Sequence, residues 1–293
     1  MTTRSAADIG RTAACPAFWL GGGSGAGKTT LARAVAGRLD LRLYHVDAYG
    51  YDHVARMARR YFPRTQAFTA MTYDERWLRA PEVLAEEFLA ISAERMSLIV
   101  DDLRALGRGA TILVEGPQLL PGLVAPLLDS AGAALWLLPT EGFSRRAVTA
   151  RGEIVPSAKE AEVRANRHRR DVLVTEALRA RAAELGLSSA VVDGCRSVSD
   201  SVEWLTGVVQ RVAGVTRAGT GEERASMRRQ ENQVVARQLT SYWEDMGVEA
   251  IPDAPAGPFS CECRVLGCCG EALLSLEEYR RRRAAGPLVV HEE

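Results

Sequence analysis

Apolar residues fall along this chain in two kinds of run. Phe18–Leu20, Ala110–Val114 and Ala133–Leu138 are short and continuous, the pattern of strands covered on both faces. Leu41–Val46 alternates apolar and polar residues, and Ser189–Asp193 is a last short run; both read as strands. Between these runs, apolar positions recur every three or four residues, as a helix face requires. The first helical stretch ends near Leu39. A longer one spans Pro81–Leu106, with Leu84, Phe88, Ile91, Ile99 and Leu103 in step, and Gly107-Arg-Gly109 stops it. Two more cover Asp171–Leu185 and Ser199–Val212. Residues 48–75 fit neither period and are expected to be irregular, polar and aromatic.

Strands alternating with helices imply βαβ units and a mainly parallel sheet, an α/β architecture in three layers. Ligands of such sheets bind beyond the carboxyl ends of the strands. The pattern changes after Val212. Gly214–Gly221 reads as a linker, Glu222–Met246 as a helix, Ile251–Pro258 as extended, and a cysteine-rich piece and the short stretch Leu273–Arg283 follow. The expected organisation is a flexible leader over 1–15, a main domain over 16–213, a linker over 214–224, and a small helical and cysteine-rich appendage over 225–293. No internal repeat is present.

Composition adds exclusions. Acidic and basic residues balance at 37 each, so no overall field favours nucleic acid or an anionic membrane. No apolar run reaches the length of a membrane span. Partners are therefore expected to be small molecules, with a second copy of the chain as a further option.

One segment carries specific chemistry. Gly22-Gly-Ser-Gly-Ala-Gly-Lys-Thr29 lies directly between the first strand and the first helix. It matches the phosphate-cradling pattern G-x-x-x-x-G-K-[ST] in the context that pattern needs. Gly22, Gly23, Ser24, Gly25, Ala26, Gly27, Lys28, Thr29 and Thr30 are the candidate phosphate-binding residues. Glycines let successive N–H groups turn inward, and the helix adds its positive end. Lys28 would reach the β- and γ-phosphates of ATP, and the Thr29 hydroxyl would ligate Mg²⁺. Only Lys28 and Lys159 are lysines in a chain that otherwise uses arginine. A compact ammonium fits between phosphates where a guanidinium fork fits poorly.

The loop indicates a nucleotide without indicating the reaction. The chain lacks the Asn-Lys-x-Asp guanine reader of GTPases and the Leu-Ser-Gly-Gly signature of transporter ATPases, and the strand before Glu115 lacks an Asp-Glu end. Over about Phe18–Val212 it resembles the nucleoside and nucleotide kinases of the phosphate-loop (P-loop NTPase) class, in particular the uridine-kinase-like members. The resemblance rests on the loop, a second strand ending at Asp47 near tyrosines, Val114-Glu-Gly116 after a buried strand, and a late arginine-rich segment. It implies that Asp47 accepts the proton of the acceptor hydroxyl; the alternative is a strand-end cap. Glu115 would hold a Mg²⁺-bound water or the acceptor, or else form a salt bridge with a basic neighbour. Arg145–Arg170 holds seven arginines and would close as a lid, with Arg151, Arg167 and Arg170 clamping phosphates; the alternative is a solvated basic face. Tyr49, Tyr51, Arg56, Arg60 and Tyr61 are further candidates for reading the acceptor, or else core residues.

Four of the six cysteines stand in Cys261-x-Cys263-x₄-Cys268-Cys269. Together with Glu278-Tyr279 and the terminal His291-Glu292, they resemble a short C-terminal module of several actinobacterial proteins. Cys261, Cys263, Cys268 (or Cys269) and His291 would make a tetrahedral Zn²⁺ set. A redox pair or inert thiols are the alternatives. Cys15 and Cys195 read as small hydrophobes. Free thiols and ATP chemistry suggest the cytoplasm. The combined expectation is an ATP- and Mg²⁺-dependent phosphotransferase acting on a hydroxyl acceptor. The rivals are an ATP-binding regulator with a metal- or redox-sensing tail, and an ATPase without an acceptor.

Overall fold

The computed structural model describes residues 16–57, 62–107, 109–150, 155–212, 214–246 and 256–291. The leader, Cys15, Arg60, Tyr61 and Arg151 lie outside these residues. Five strands build one sheet: β1 (Ala17–Gly22), β2 (Arg42–His45), β3 (Ile112–Glu115), β4 (Ala134–Pro139) and β5 (Ser189–Val192). Their order is β2-β3-β1-β4-β5, and every pairing is parallel. The fold is thus α/β with a parallel central sheet.

Parallel neighbours require crossovers, and helices supply them. The connections are α1 (Lys28–Arg38) from β1 to β2; α2 (Gly50–Arg56), α3 (Pro63–Thr69), α4 (Tyr73–Trp77) and α5 (Pro81–Ala105) from β2 to β3; α6 (Pro121–Val124) from β3 to β4; and α7 (Glu141–Thr149) with α8 (Glu160–Glu184) from β4 to β5. Then come α9 (Val198–Gln210) and α10 (Gly221–Met246), the hairpin strands β6 (Gly257–Ser260) and β7 (Glu271–Leu274), and α11 (Leu276–Ala285).

The continuous apolar runs are explained by helices on both sheet faces. Phe18 and Leu20 of β1 pack with Leu31, Val35, Leu205 and Val209 of α1 and α9. Trp19, between them, packs on the opposite face with Ile99, Leu103 and Leu178 of α5 and α8. Period two along the strand sends alternate side chains into two separate cores.

Two expectations need correction. The described residues of 48–75 are not irregular: Val46–Tyr49 form a 3₁₀ turn, and α2, α3 and most of α4 fall inside this range. These helices are only five to seven residues long, too short to display a 3.6-residue period. The helix expected to begin at Asp171 begins at Glu160. Its first turns are polar and include the i,i+4 pair Glu160–Arg164, so they carry no apolar stripe.

The segment read as a linker lies against the α/β body. Thr111 N–H donates to Thr216 O and Ala218 N–H to Asp40 O, at 2.9 and 3.0 Å. Helix α10 then runs along β2, the edge of the sheet. Arg228 donates to Leu41 O, and Glu231 accepts from Leu43 N–H at 2.8 Å. Side chains of α10 thereby satisfy main-chain groups that an open edge would leave exposed. The hairpin and α11 enclose a small core of Phe259, Leu274, Tyr279 and Leu288. Phe259 and Tyr279 stack there with centroids 4.0 Å apart. Among the described residues no helix is long and apolar enough to cross a membrane.

Candidate functional site

The glycine loop, residues 22–29, leaves the carboxyl end of β1 in the middle of the sheet. Its glycines answer specific demands. Gly22, Gly25 and Gly27 have φ of 135, 76 and 76°, which L side chains rarely adopt. A Cβ on Gly22 would also collide with the Leu137 carbonyl, and one on Gly23 with the Thr175 hydroxyl of α8. Gly23 N–H is tied to Leu137 O at 3.0 Å, and Ser144 of α7 donates to Ser24 O at 2.9 Å. The loop is thus held from two sides.

Helices α4, α7, α9 and α11 start with side-chain caps from Thr72, Thr140, Ser197 and Ser275, whereas α2, α3, α5, α6 and α8 start, like α1, without one. Helix α1 begins after Gly27 with no side-chain cap and no acid in its first turn. Its opening is enclosed: Ala26 and Lys28 are 2% and 7% exposed. The Lys28 ammonium folds back on the loop and donates to Gly23 O at 2.8 Å. Uncapped N–H groups, a helix dipole and a cation therefore share one enclosed spot, the electrostatics of an anion site. Thr29 and Thr30 follow on the first turn, with Thr30 exposed.

Asp47 and Glu115 stand at neighbouring strand ends. Glu115 closes β3, in register with Leu20 of β1 and His45 of β2. It is fully buried and forms an ion pair with His45 Nδ1; Oε2 has no hydrogen-bond partner among the described residues. The basic neighbour that the salt-bridge alternative calls for is thus present, as a histidine. Burial pushes the His45 pKa down, but the charge and hydrogen bonding of Glu115 and the charge of Asp47 outweigh it, and the net shift is upward. Asp47 lies in the 3₁₀ turn after β2 and is exposed. Gln118 Nε2 donates to its Oδ1 at 2.6 Å.

Gln118 also lines a cavity of about 300 Å³ walled by α2, α3, α4, α5, α8 and, through Gln238, α10. The lining is mostly apolar, with Phe68, Trp77, Phe88 and Ile91, and includes Arg95 and Arg170. Arg167 and Arg170 of the arginine-rich segment lie over Trp77, at 5.0 and 5.3 Å from its ring. Arg167 donates to the Tyr73 hydroxyl, and Arg170 pairs with Asp171 at 2.7 Å. Of the aromatic candidates, Tyr51 lines the cavity, whereas Tyr49 stacks on the core residue Tyr44. Arg56 pairs with Asp52 and Asp102. On the other side of the loop, a cleft of about 640 Å³ runs past Gly27, Thr30, Asp193, Arg196 and Trp204. Cys195, read from the sequence as a small hydrophobe, opens onto it and is exposed.

At the far end of the chain, one ligand atom each from Cys261, Cys263, Cys268 and His291 lie within 4.8 Å of one another. Three sulfurs and an imidazole suit tetrahedral Zn²⁺, so these four residues could hold a metal ion. Cys269 is exposed and outside the group. Arg224, 1% exposed, supplies charge from below. It donates to Cys261 O, Cys263 O and Cys268 O at 3.2, 2.7 and 2.6 Å and contacts Cys263 Sγ at 3.7 Å. Burial raises the Cys268 pKa, but the Gly270 N–H, the Cys263 thiol and the Arg224 charge bring it below the ordinary thiol value. Asp40 completes the arrangement, pairing with Arg224 at 3.2 Å and accepting the Gly267 N–H at 2.9 Å. On α1, Arg33 reaches the same module through Glu271, Pro258 O and Ser260.

Sequence reasoning missed His45, Gln118, Arg95 and Arg224. His45 had a weak signal, as one of four histidines and two residues from Asp47. Neither a scan against protein-family models nor a search of curated proteins found a match for this chain.

Proposed function

We propose that the chain is an ATP-dependent phosphotransferase that moves the γ-phosphate to a hydroxyl acceptor. The observation that carries this reading is the uncapped, enclosed start of α1 with Lys28 folded beside it. Helix-start N–H groups beside a lysine ammonium, with no acidic side chain in the first turn, offer an anion several donors at once. In this reading the amides of residues 24–29 and Lys28 hold the triphosphate, and the cleft bordered by Asp193, Arg196 and Trp204 takes the nucleoside.

The acceptor sits in the apolar cavity. Its hydroxyl points to Asp47, which takes the proton and aligns the oxygen, while Gln118 fixes the carboxylate. Phosphoryl transfer asks mostly for positioning and charge stabilisation, so one aligned carboxylate and a set of fixed donors suffice. Thr29 and Glu115 fit a hard cation: one is a hydroxyl on the loop helix, the other a buried carboxylate with an oxygen lacking a hydrogen bond. Mg²⁺, when bound, supplies neutralisation of charge on the β- and γ-oxygens. Zn²⁺ in the Cys₃His group would be structural, because four protein donors leave no open position.

A second reading is a nucleotide-binding regulator whose metal module senses the state of α1. The Arg33 contacts to β6 and β7 favour it. Transfer of ³²P from ATP across a panel of hydroxylated metabolites separates the two. The phosphotransferase reading expects a labelled acceptor with the native chain and none with Asp47→Asn. Turnover of ATP at one rate whatever the acceptor, with no label transferred, would falsify it.

A further inference from the structure

The cavity beside Asp47 has an unusual polar content. Its walls combine aromatic and aliphatic side chains with the uncharged polar groups of Thr65, Thr69, Ser92, Gln118 and Gln238; no acidic side chain lines it among the described residues, yet two guanidinium groups do. Arg170 spends one nitrogen on Asp171 and rests on Trp77 and Phe88. Its Nε is buried without a hydrogen-bond partner, and so is Nε of Arg95. Buried donors with nothing to donate to are expensive, and charged ones more so.

Arg95 is held in place by a buried relay. Its Nη2 lies 3.3 Å from His53 Nδ1 and 3.4 Å from Val46 O. His53, fully buried, puts Nε2 2.8 Å from Asp102, and Tyr44 and Arg56 donate to the same carboxylate at 2.7 and 2.5 Å. The consistent tautomer carries the proton on Nε2 and offers the Nδ1 lone pair to Arg95. Asp102 thus fixes His53, and His53 fixes Arg95 without neutralising it. Burial lowers the Arg95 pKa and the nearby charge of Asp47 raises it, while Nε of Arg95 keeps donor capacity in the cavity wall, an arrangement that suits an anion.

We propose that the acceptor is a flat, apolar hydroxy acid: an aromatic or alicyclic body carrying one hydroxyl and one oxyanion group, the body against Trp77 and Phe88, the oxyanion on Arg95 and Arg170, and the hydroxyl toward Gln118 and Asp47. This rests on the phosphotransferase reading for the fate of the hydroxyl only. Carboxylates and phosphorus oxyanions share the chemistry that two guanidinium groups recognise.

Calorimetry without ATP tests the proposal independently of that reading. The probes are 3-phenyllactate, its neutral amide, the matching phosphonate, and uridine as a polar uncharged comparison. We expect 3-phenyllactate or the phosphonate to bind with Kd of about 1 mM or tighter, and the stronger of the two identifies the oxyanion. The amide is expected to bind at least about tenfold more weakly, the loss of a charge-assisted contact. Arg170→Gln and Arg95→Gln should each remove that preference, leaving amide binding as it was. Arg170→Gln covers the case in which Arg95→Gln does not fold. Equal binding of acid and amide, preference for uridine, no binding of any probe, or an acid preference that survives Arg170→Gln would overturn the proposal. An acid preference lost in the variant but without ³²P transfer would uphold the pocket assignment and remove the phosphotransferase reading.

Discussion

Gln118 Nε2 stands 2.6 Å from Asp47 Oδ1, joining the wall of the apolar cavity to the carboxylate at the end of β2. Replacement of Asp47 by Asn should keep ATP affinity within about twofold and lower kcat by at least about 10²-fold, the worth of a positioned general base. Gln118→Leu should leave ATP binding alone and cost about tenfold in kcat, the loss of one hydrogen bond to a charged group. Steady-state kinetics beside ATP calorimetry checks both. An Asp47→Asn variant with native kcat would return Asp47 to the role of a turn former.

The cysteine module should carry about one zinc per chain, as a closed four-ligand site does. Elemental analysis of purified protein reads this directly. Cys263→Ser should lose the metal and several degrees of thermal midpoint. Arg224→Met should destabilise by about 3–5 kcal/mol, because Asp40 would remain buried without its cation. Metal-free protein with an unchanged midpoint would leave the four residues without a structural role.

Asp102 makes the network under the cavity sensitive to acid. Burial raises its pKa, but hydrogen bonds from His53, Tyr44 and Arg56 outweigh this, and the group lies below its ordinary value of 3.8. Because the folded value is the lower one, the stabilisation is present above 3.8 and is lost as pH falls through the folded pKa. The stability gap between the native chain and Asp102→Asn should be widest above about pH 5 and should close toward lower pH. Urea unfolding across that range measures it. A gap independent of pH would show that the hydrogen bonds do not depend on the carboxylate's charge.

The sheet and the loop were legible because both rest on local pattern. Continuous apolar runs need two cores, and Phe18, Trp19 and Leu20 divide between them. The Cys₃His group, which could hold a metal ion, was legible because Cys261, Cys263 and Cys268 cluster along the chain, and His291 entered through the resemblance. Other features depend on distant residues meeting. Arg95 is one polar residue among many on α5, and only its position beside His53 and Val46 sets it apart. Arg228 and Glu231 resemble an ordinary i,i+3 helix pair, yet they complete the hydrogen bonding of an edge strand nearly 190 residues earlier. The short helices α2–α4 lack the length to show a period, and the polar first turns of α8 lack an apolar face.

The central claim is that the enclosed start of α1 binds a nucleoside triphosphate through its amides and Lys28. Calorimetric titration of the native chain and of Lys28→Ala with ATP and Mg²⁺ tests it most directly. Saturable binding at about one site per chain is expected, weakened at least about tenfold by the substitution, since charged hydrogen bonds are lost. No heat of binding to the native protein, or equal affinity in the two, would contradict it.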